Sequence, residues 1–390
     1  MSHPATRHRP MDAIRASVPF LSWFPRSAYA ERQKDPAIAD FMFGNPHDMP
    51  IPAYVAGLAR SIVPQDRAWF AYKMSEPIAT QTVARTLTAR TGLSFSPDDV
   101  AMTNGGFAAI AVAIRTVCGP GDEVVFLSPP WFFYEMLVLA AGARPVRVPI
   151  APPAFDLPVE AILAAIGPRT RAVLVNSPHN PSGRVWSKDD FAALARGLEA
   201  ASAKHGAPIW ILSDEAYAKV VFDGRRAASP SEVYPHTMVL YSYGKQLLAP
   251  GQRVGYVAVP PTAPDREAVR EDLLMAQCAT GFAFPNALLQ HALPDIEALS
   301  IDLGALQKKR DRFVPALRAL GWEATMPEGT FYVLVRAKDG DEAGLVERLA
   351  ARGTFVLPGS IVELPGWVRV SLTANEAMIE KGIADFAALG

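Results

Sequence analysis

Only two cysteines, Cys118 and Cys278, occur in the 390 residues. They are too few and too far apart for a disulfide scaffold or a four-ligand zinc site. Their apolar neighbours mark both as small core residues in a reducing compartment. Long apolar runs are missing too: the richest, around 108–114 and 136–143, are too short to span a bilayer. Residues 1–10 are polar and lack the apolar stretch of a signal peptide. Neither sign of charge dominates. With 38 Lys+Arg against 39 Asp+Glu the net charge is −1, which excludes a general nucleic-acid binder, since that function needs a basic surface to displace counterions. Lys308-Lys309-Arg310 reads as a solvated helix face. No 20–50-residue period recurs, so solenoids and propellers are excluded. A cytoplasmic globular chain without membrane or nucleic-acid partner is expected, and a content of 50% hydrophobic and 20% charged residues is ordinary for one.

From about residue 50 to 290, short apolar, β-branched runs alternate with helical patterns. The strand candidates are residues 123–127, 172–176, 209–213, 238–242 and 254–259, each bounded by Gly, Pro, Ser, Asn or Asp. Amphipathic helix candidates such as 191–204 lie between them. This alternation predicts βαβ units and a doubly wound α/β domain with a mainly parallel sheet. Beyond 290 the order changes to a long helix at 301–320, a strand at 330–336 and a helix at 342–352. Strands at 355–356 and 368–372 and a last helix from Glu376 follow. The expected division is a large domain over residues 47–290 and a smaller α+β domain built from 1–46 and 291–390. The 35 prolines are scattered and mark turns rather than a linker.

In an open α/β sheet, ligands bind beyond the carboxyl ends of the strands, and five polar clusters follow the strand candidates. In Thr103-Asn104-Gly105-Gly106-Phe107, two glycines at a helix start let backbone N–H groups approach an anion, although such glycines also serve conformation alone. Pro130-Trp131-Phe132-Phe133-Tyr134 offers Trp131 as a ring to stack on a flat ligand, with Phe132 and Phe133 read as core. In Asn176-Ser177-Pro178-His179-Asn180-Pro181-Ser182-Gly183 the prolines stiffen a turn that holds the Asn180 amide toward a ligand oxygen. His179 has no second ligand at metal spacing and reads as an ordinary hydrogen-bonded histidine, so no metal is expected. In Ser213-Asp214-Glu215-Ala216-Tyr217 a buried Asp214 needs a cationic partner to stay ionised, such as a protonated heterocyclic nitrogen. An N-cap role fits that segment equally well, and Tyr217 stands three residues on. The last cluster joins Ser242-Tyr243-Gly244-Lys245 to Gly251-Gln252-Arg253-Val254-Gly255. A lysine at the end of a buried strand loses hydration, which favours a free amine able to form a Schiff base. Arg253 and Ser242 supply a charged fork and a hydroxyl suited to phosphate.

In this order and over nearly the whole chain, these motifs resemble the fold-type I, class I/II aminotransferases, the aspartate aminotransferase-like enzymes that use pyridoxal 5′-phosphate (PLP). The resemblance implies a large α/β domain with a mainly parallel seven-stranded sheet flanked by helices, and a smaller α+β domain. It makes Lys245, Asp214 and Tyr217 catalytic: Lys245 holds PLP as a Schiff base and shuttles protons, and Asp214 keeps the pyridine nitrogen protonated. Asn180 and Tyr217 would bond the ring's 3′-oxygen, and Trp131 would stack on the ring. Ser242, Arg253 and the backbone of Gly105, Gly106 and Phe107 would cradle the phosphate. Tyr72 would reach that phosphate from a partner subunit, which implies a homodimer. Arg369 would grip the substrate carboxylate, with Gly44 and Asn180 beside it.

Three departures stand out. Phe107 occupies a position where the family usually has a small polar side chain. Glu76-Pro77-Ile78-Ala79-Thr80-Gln81 replaces the Gly-x-x-x-Leu-Arg-like stretch after Tyr72, and Asn45-Pro46-His47-Asp48 replaces an acidic loop. The expected reaction is ping-pong transfer of an amino group from an L-amino acid to a 2-oxo acid. Amino-acid oxidation, C–S or other β-elimination and cyclising chemistry are alternatives on the same fold. A silent regulator is the non-enzyme alternative, and an intact Lys245 speaks against it. Residues 277–281 contain no arginine where aspartate-specific relatives place one. Phe20, Trp23, Phe24 and Tyr29 form either an apolar lid or body packing. The expectation leans to a neutral apolar or aromatic donor, with His47 and Asp48 leaving a polar or basic one open.

Overall fold

The computed structural model describes residues 11–390. Among the described residues eleven strands are formed: β1 Ala39–Phe41, β2 Val100–Thr103, β3 Glu123–Ser128, β4 Arg144–Pro149, β5 Thr170–Asn176, β6 Trp210–Asp214, β7 Thr237–Ser242, β8 Gly255–Ala258, β9 Tyr332–Arg336, β10 Thr354–Pro358 and β11 Trp367–Ser371. Seven of them make one sheet in the order β2-β8-β7-β6-β5-β3-β4. β8 runs antiparallel to both neighbours, and the other pairs are parallel. β6 and β7 are buried along their whole length, as strands covered by helices on both faces must be, and this is why they read as unbroken apolar runs. Local chemistry sets the helix ends. Helix Lys188–His205 starts at a Ser187/Asp190 capping box and stops at Gly206 with φ +68, caps that contribute about 1 kcal/mol each.

The second sheet has four strands in the order β1-β10-β11-β9. β1 pairs parallel to β10 (Ala39↔Thr354) and joins the N-terminal segment to the C-terminal lobe. This pairing had too short an apolar signature to be legible, since β1 is three residues long. A separate apolar core, including Phe41, Phe313, Phe331 and Phe386, sits under this sheet.

Two surface readings change. Cys278, expected in the core, is exposed on helix Arg266–Ala279, whereas Cys118 is buried. Arg310, expected on a solvated face, is only 4% exposed and forks onto both carboxylate oxygens of Asp223 at 2.7 and 2.8 Å. Its neighbours in sequence are polar, but the helix turns its face toward Phe222. Among the described residues no helix is long and apolar enough to cross a membrane.

Candidate active site

The five polar clusters converge at the carboxyl ends of the parallel strands. The chain turns at Gly105 (φ +81) from β2 into helix Gly106–Val117. A side chain at Gly105 would meet the Arg253 guanidinium at 2.8 Å, and one at Gly106 would meet Ser242 Cβ at 3.0 Å. Here glycine is demanded both by the positive φ and by the close approach. Helix N–H groups, the Ser242 hydroxyl and Arg253 therefore share one wall, a concave donor set suited to a phosphate. Arg253 spends one nitrogen on the Pro250 carbonyl (2.7 Å) and has no carboxylate partner among the described residues, and burial pulls its pKa below the ordinary value.

Asp214 ends β6 and is 7% exposed. Its Oδ2 accepts the Tyr134 hydroxyl at 2.6 Å, and its Oδ1 accepts Ala216 N–H at 3.2 Å. Burial without an adjacent cation raises its pKa, and Lys245 acts on it only as a more distant opposing charge. No helix begins at Asp214, so the N-cap reading does not hold. Asn176 fixes the neighbouring turn: its Nδ2 donates to the Asp214 carbonyl and its Oδ1 accepts Asn180 N–H, both at 2.8 Å.

Lys245 lies in the one-turn helix Tyr243–Gln246 after β7. Its Nζ stands 5.7 Å from the Tyr217 ring centroid and 5.9 Å from that of Phe331, with no carboxylate paired to it among the described residues. Together with Asn180, Asp214, Tyr217, Ser242 and Arg253 it lines a pocket of about 630 Å³, whose apolar wall is Phe107, Ile110 and Trp131. Phe107 meets Trp131 edge to face at 5.2 Å.

A second compartment of about 430 Å³ opens from the first and shares Trp131, Asn180, Tyr217 and Lys245 with it. Arg369, on the central strand β11, is 2% exposed. It donates to Asn180 Oδ1 at 3.0 Å and to the Met42 carbonyl at 3.3 Å. Its Cζ lies 3.9 Å from the Tyr332 ring centroid, and Nε is buried without a partner. No carboxylate pairs with it among the described residues, so a buried cation faces this compartment uncompensated. Gly44 lines it as well, and a side chain there would collide with Phe331. Tyr332 was not singled out in the sequence. Burial pushes its hydroxyl upward, but the Arg369 and Lys245 cations and hydrogen bonds from Tyr217 and Gly44 outweigh this, making it the more acidic of the Tyr217/Tyr332 pair.

Tyr72 stands apart from this chain's pocket, 87% exposed, its ring 4.9 Å from that of Phe284. Phe132, read as core, instead lines the second compartment. Tyr134 and Asn176 were missed as site residues because their partners are backbone and carboxylate atoms brought close only by sheet packing. His179 bonds Ser182 Oγ through Nδ1 at 2.8 Å, it also hydrogen-bonds the Pro129 backbone, and burial pulls its pKa down to about 3. Among the described residues no group of three or more His, Cys, Asp or Glu could hold a metal ion. The neutral His179 is worth most to stability above the unfolded pKa of about 6.5, and the benefit is lost as pH falls toward about 3. His179→Gln should therefore flatten the loss of thermal stability between pH 6.5 and 4. An unchanged slope would place the acid sensitivity elsewhere.

The groups left without a counter-ion fit PLP group by group. Arg253 and the glycine turn suit a phosphate, Asp214 suits a pyridinium nitrogen, Lys245 suits an aldehyde, and Arg369 remains for a substrate carboxylate. A family model described as "Aminotransferase class I and II" matches residues 41–386. The chain is 32% identical over 350 residues to the aspartate/prephenate aminotransferase of Thermus thermophilus, covering 87% of this chain and 88% of that one. It is 27% identical over 394 residues to the aspartate aminotransferase of Rhizobium meliloti, covering 93% and 91%. A solved amino transferase from Eubacterium rectale superposes with a TM-score of 0.87 at 28% identity, covering 98% and 96% of the two chains. The Thermus thermophilus aspartate aminotransferase with maleate does so at 0.84 and 27%, covering 98% and 100%. This chain belongs to the class I and II aminotransferases, enzymes of the PLP-dependent fold type I that move an amino group from an amino acid to a 2-oxo acid.

Proposed function

We propose that Lys245 carries PLP and acts as the proton-moving base, that Asp214 keeps its ring nitrogen protonated, and that Arg369 holds the amino acid by its α-carboxylate. PLP, when bound, supplies the electron sink for the charge left at Cα. Lys245 Nζ would accept the Cα proton of the amino acid. Asn180 and Tyr217 would bond the ring oxygen, and Trp131 would cover the ring face. Ser242, Arg253 and the N–H groups at Gly105, Gly106 and Phe107 hold the phosphate, and Gly44 leaves room beside the carboxylate. The observation that carries this reading is Arg369: a guanidinium kept 2% exposed with no anion of its own is costly unless an arriving carboxylate completes it. Fixing that carboxylate favours loss of the Cα proton over decarboxylation.

The same reading divides the chain into a domain of residues 47–290 and one of 1–46 with 291–390, and sets it in the cytoplasm. It makes the active unit a homodimer, because Tyr72 is exposed and does not line its own pocket. The relatives named for aspartate make aspartate the reference donor. The test is an absorbance spectrum of the purified protein as amino acids are added singly, with and without oxygen and without acceptor. Conversion of the yellow band to that of the aminated cofactor supports transamination. Peroxide formed only with oxygen, or pyruvate with ammonia, would replace it by an oxidase or a lyase. Absence of any yellow band after PLP is added would refute the assignment of Lys245.

A further inference from the structure

We propose that the compartment in front of Arg369 takes an amino acid with a large apolar, above all aromatic, side chain, and that Phe43 and Phe132 set this preference. The inference rests on the transaminase reading. In that reading four polar groups at this end have duties: Arg369 on the α-carboxylate, Lys245 on the Cα proton, Asn180 and Tyr217 on the cofactor. The side walls that remain are the rings of Phe43 and Phe132, with Asn45 and Tyr332 as the other polar side chains of the lining and Trp131 shared with the cofactor pocket. No acidic residue lines the compartment, and no cation lines it besides Lys245 and Arg369. A second carboxylate on the substrate would lose its water against two aromatic rings without a counter-ion of its own. An aromatic side chain would bury its area there and meet ring edges and faces.

A second observation is independent of the lining. Phe20, on helix Pro19–Trp23, stacks on Phe132 with centroids 4.9 Å apart and planes at 28°. The same ring meets Phe43 edge-on at 5.6 Å and 87°. One N-terminal ring thus contacts both wall rings, and the three make an aromatic corner. Replacing either wall ring by a cation would have to break that corner.

The test measures kcat/KM of the PLP-loaded enzyme for L-phenylalanine, L-leucine and L-aspartate with one common 2-oxo acid. Alongside it, calorimetric titration compares the unreactive carboxylates 3-phenylpropanoate and succinate. Phenylalanine is expected to exceed aspartate by roughly tenfold or more, and 3-phenylpropanoate to bind more tightly than succinate. Phe132→Arg should move both ratios toward the dicarboxylates. Aspartate ahead of phenylalanine with succinate the tighter ligand, as when a cation reaches in from a second copy of the chain, would overturn the proposal and leave transamination standing. No turnover with any donor, while 3-phenylpropanoate still binds better than succinate, would overturn the transaminase reading and keep the aromatic corner.

Discussion

Lys245→Ala should yield a protein that binds PLP without the yellow absorbance of a lysine-linked cofactor and incorporates no label on borohydride reduction. The expectation rests on the absence of a substitute. Lys245 is the one lysine lining the pocket among the described residues. Lys219 is engaged with Glu297 at 2.8 Å, and Lys309 lies 3.5 Å from Asp48 and donates to the Ala374 carbonyl. Loss of a positioned base alone removes about 10²–10⁴-fold in rate, and loss of the covalent link adds to it, so kcat should drop at least to the bottom of that range. The phosphate wall of Ser242, Arg253 and the helix start is untouched, so PLP should still be retained on gel filtration. A variant that keeps a reducible adduct would show that another amine holds the cofactor.

Arg369→Met should separate binding from stability. Removing the buried partner of a charged group typically costs 2–5 kcal/mol, or about 30- to several-thousand-fold in kcat/KM, and the loss should fall mainly on KM. PLP affinity should change little, because Arg369 touches Asn180, Met42 and Tyr332 rather than the phosphate wall. Thermal stability of the substrate-free holoenzyme should also stay near wild type. The variant loses two hydrogen bonds, each worth about 1.5–3 kcal/mol when one partner is charged, but it also removes a buried cation with no anion, a burden of several kcal/mol. A large drop in melting temperature with unchanged KM would make Arg369 a structural residue. Loss of PLP instead would mean it has been misplaced.

Much of the site could be read from the chain because its chemistry lies at strand ends. Asp214 and Ser242 are the last residues of fully buried strands, and Lys245 follows within one turn, so an apolar run that ends in a polar residue already marks them. Arg369 was legible only through family resemblance, since its strand places it beside Leu334 and Leu357, not beside any polar motif. Tyr332 and Phe43 carry no signal of their own: each sits in an ordinary apolar run, and only the packing of the small sheet against the Asn180 turn brings them to the pocket.

What the sequence by itself determined is the class of chain and its reactive groups. Residue order decides where buried strands stop, and a buried strand that stops in Asp or Ser, or is followed at once by Lys, leaves a polar group where the sheet can offer it to a ligand. What only the tertiary structure decided is which charges go unpaired and which rings face them. The isolation of Arg369 depends on Met42, Asn180 and Tyr332, which are scattered over the chain and meet because β1 pairs with β10 and β11 with β9. Pairing and burial are relations between distant segments, so neither the missing anion nor the aromatic corner of Phe20, Phe43 and Phe132 exists until the chain is folded.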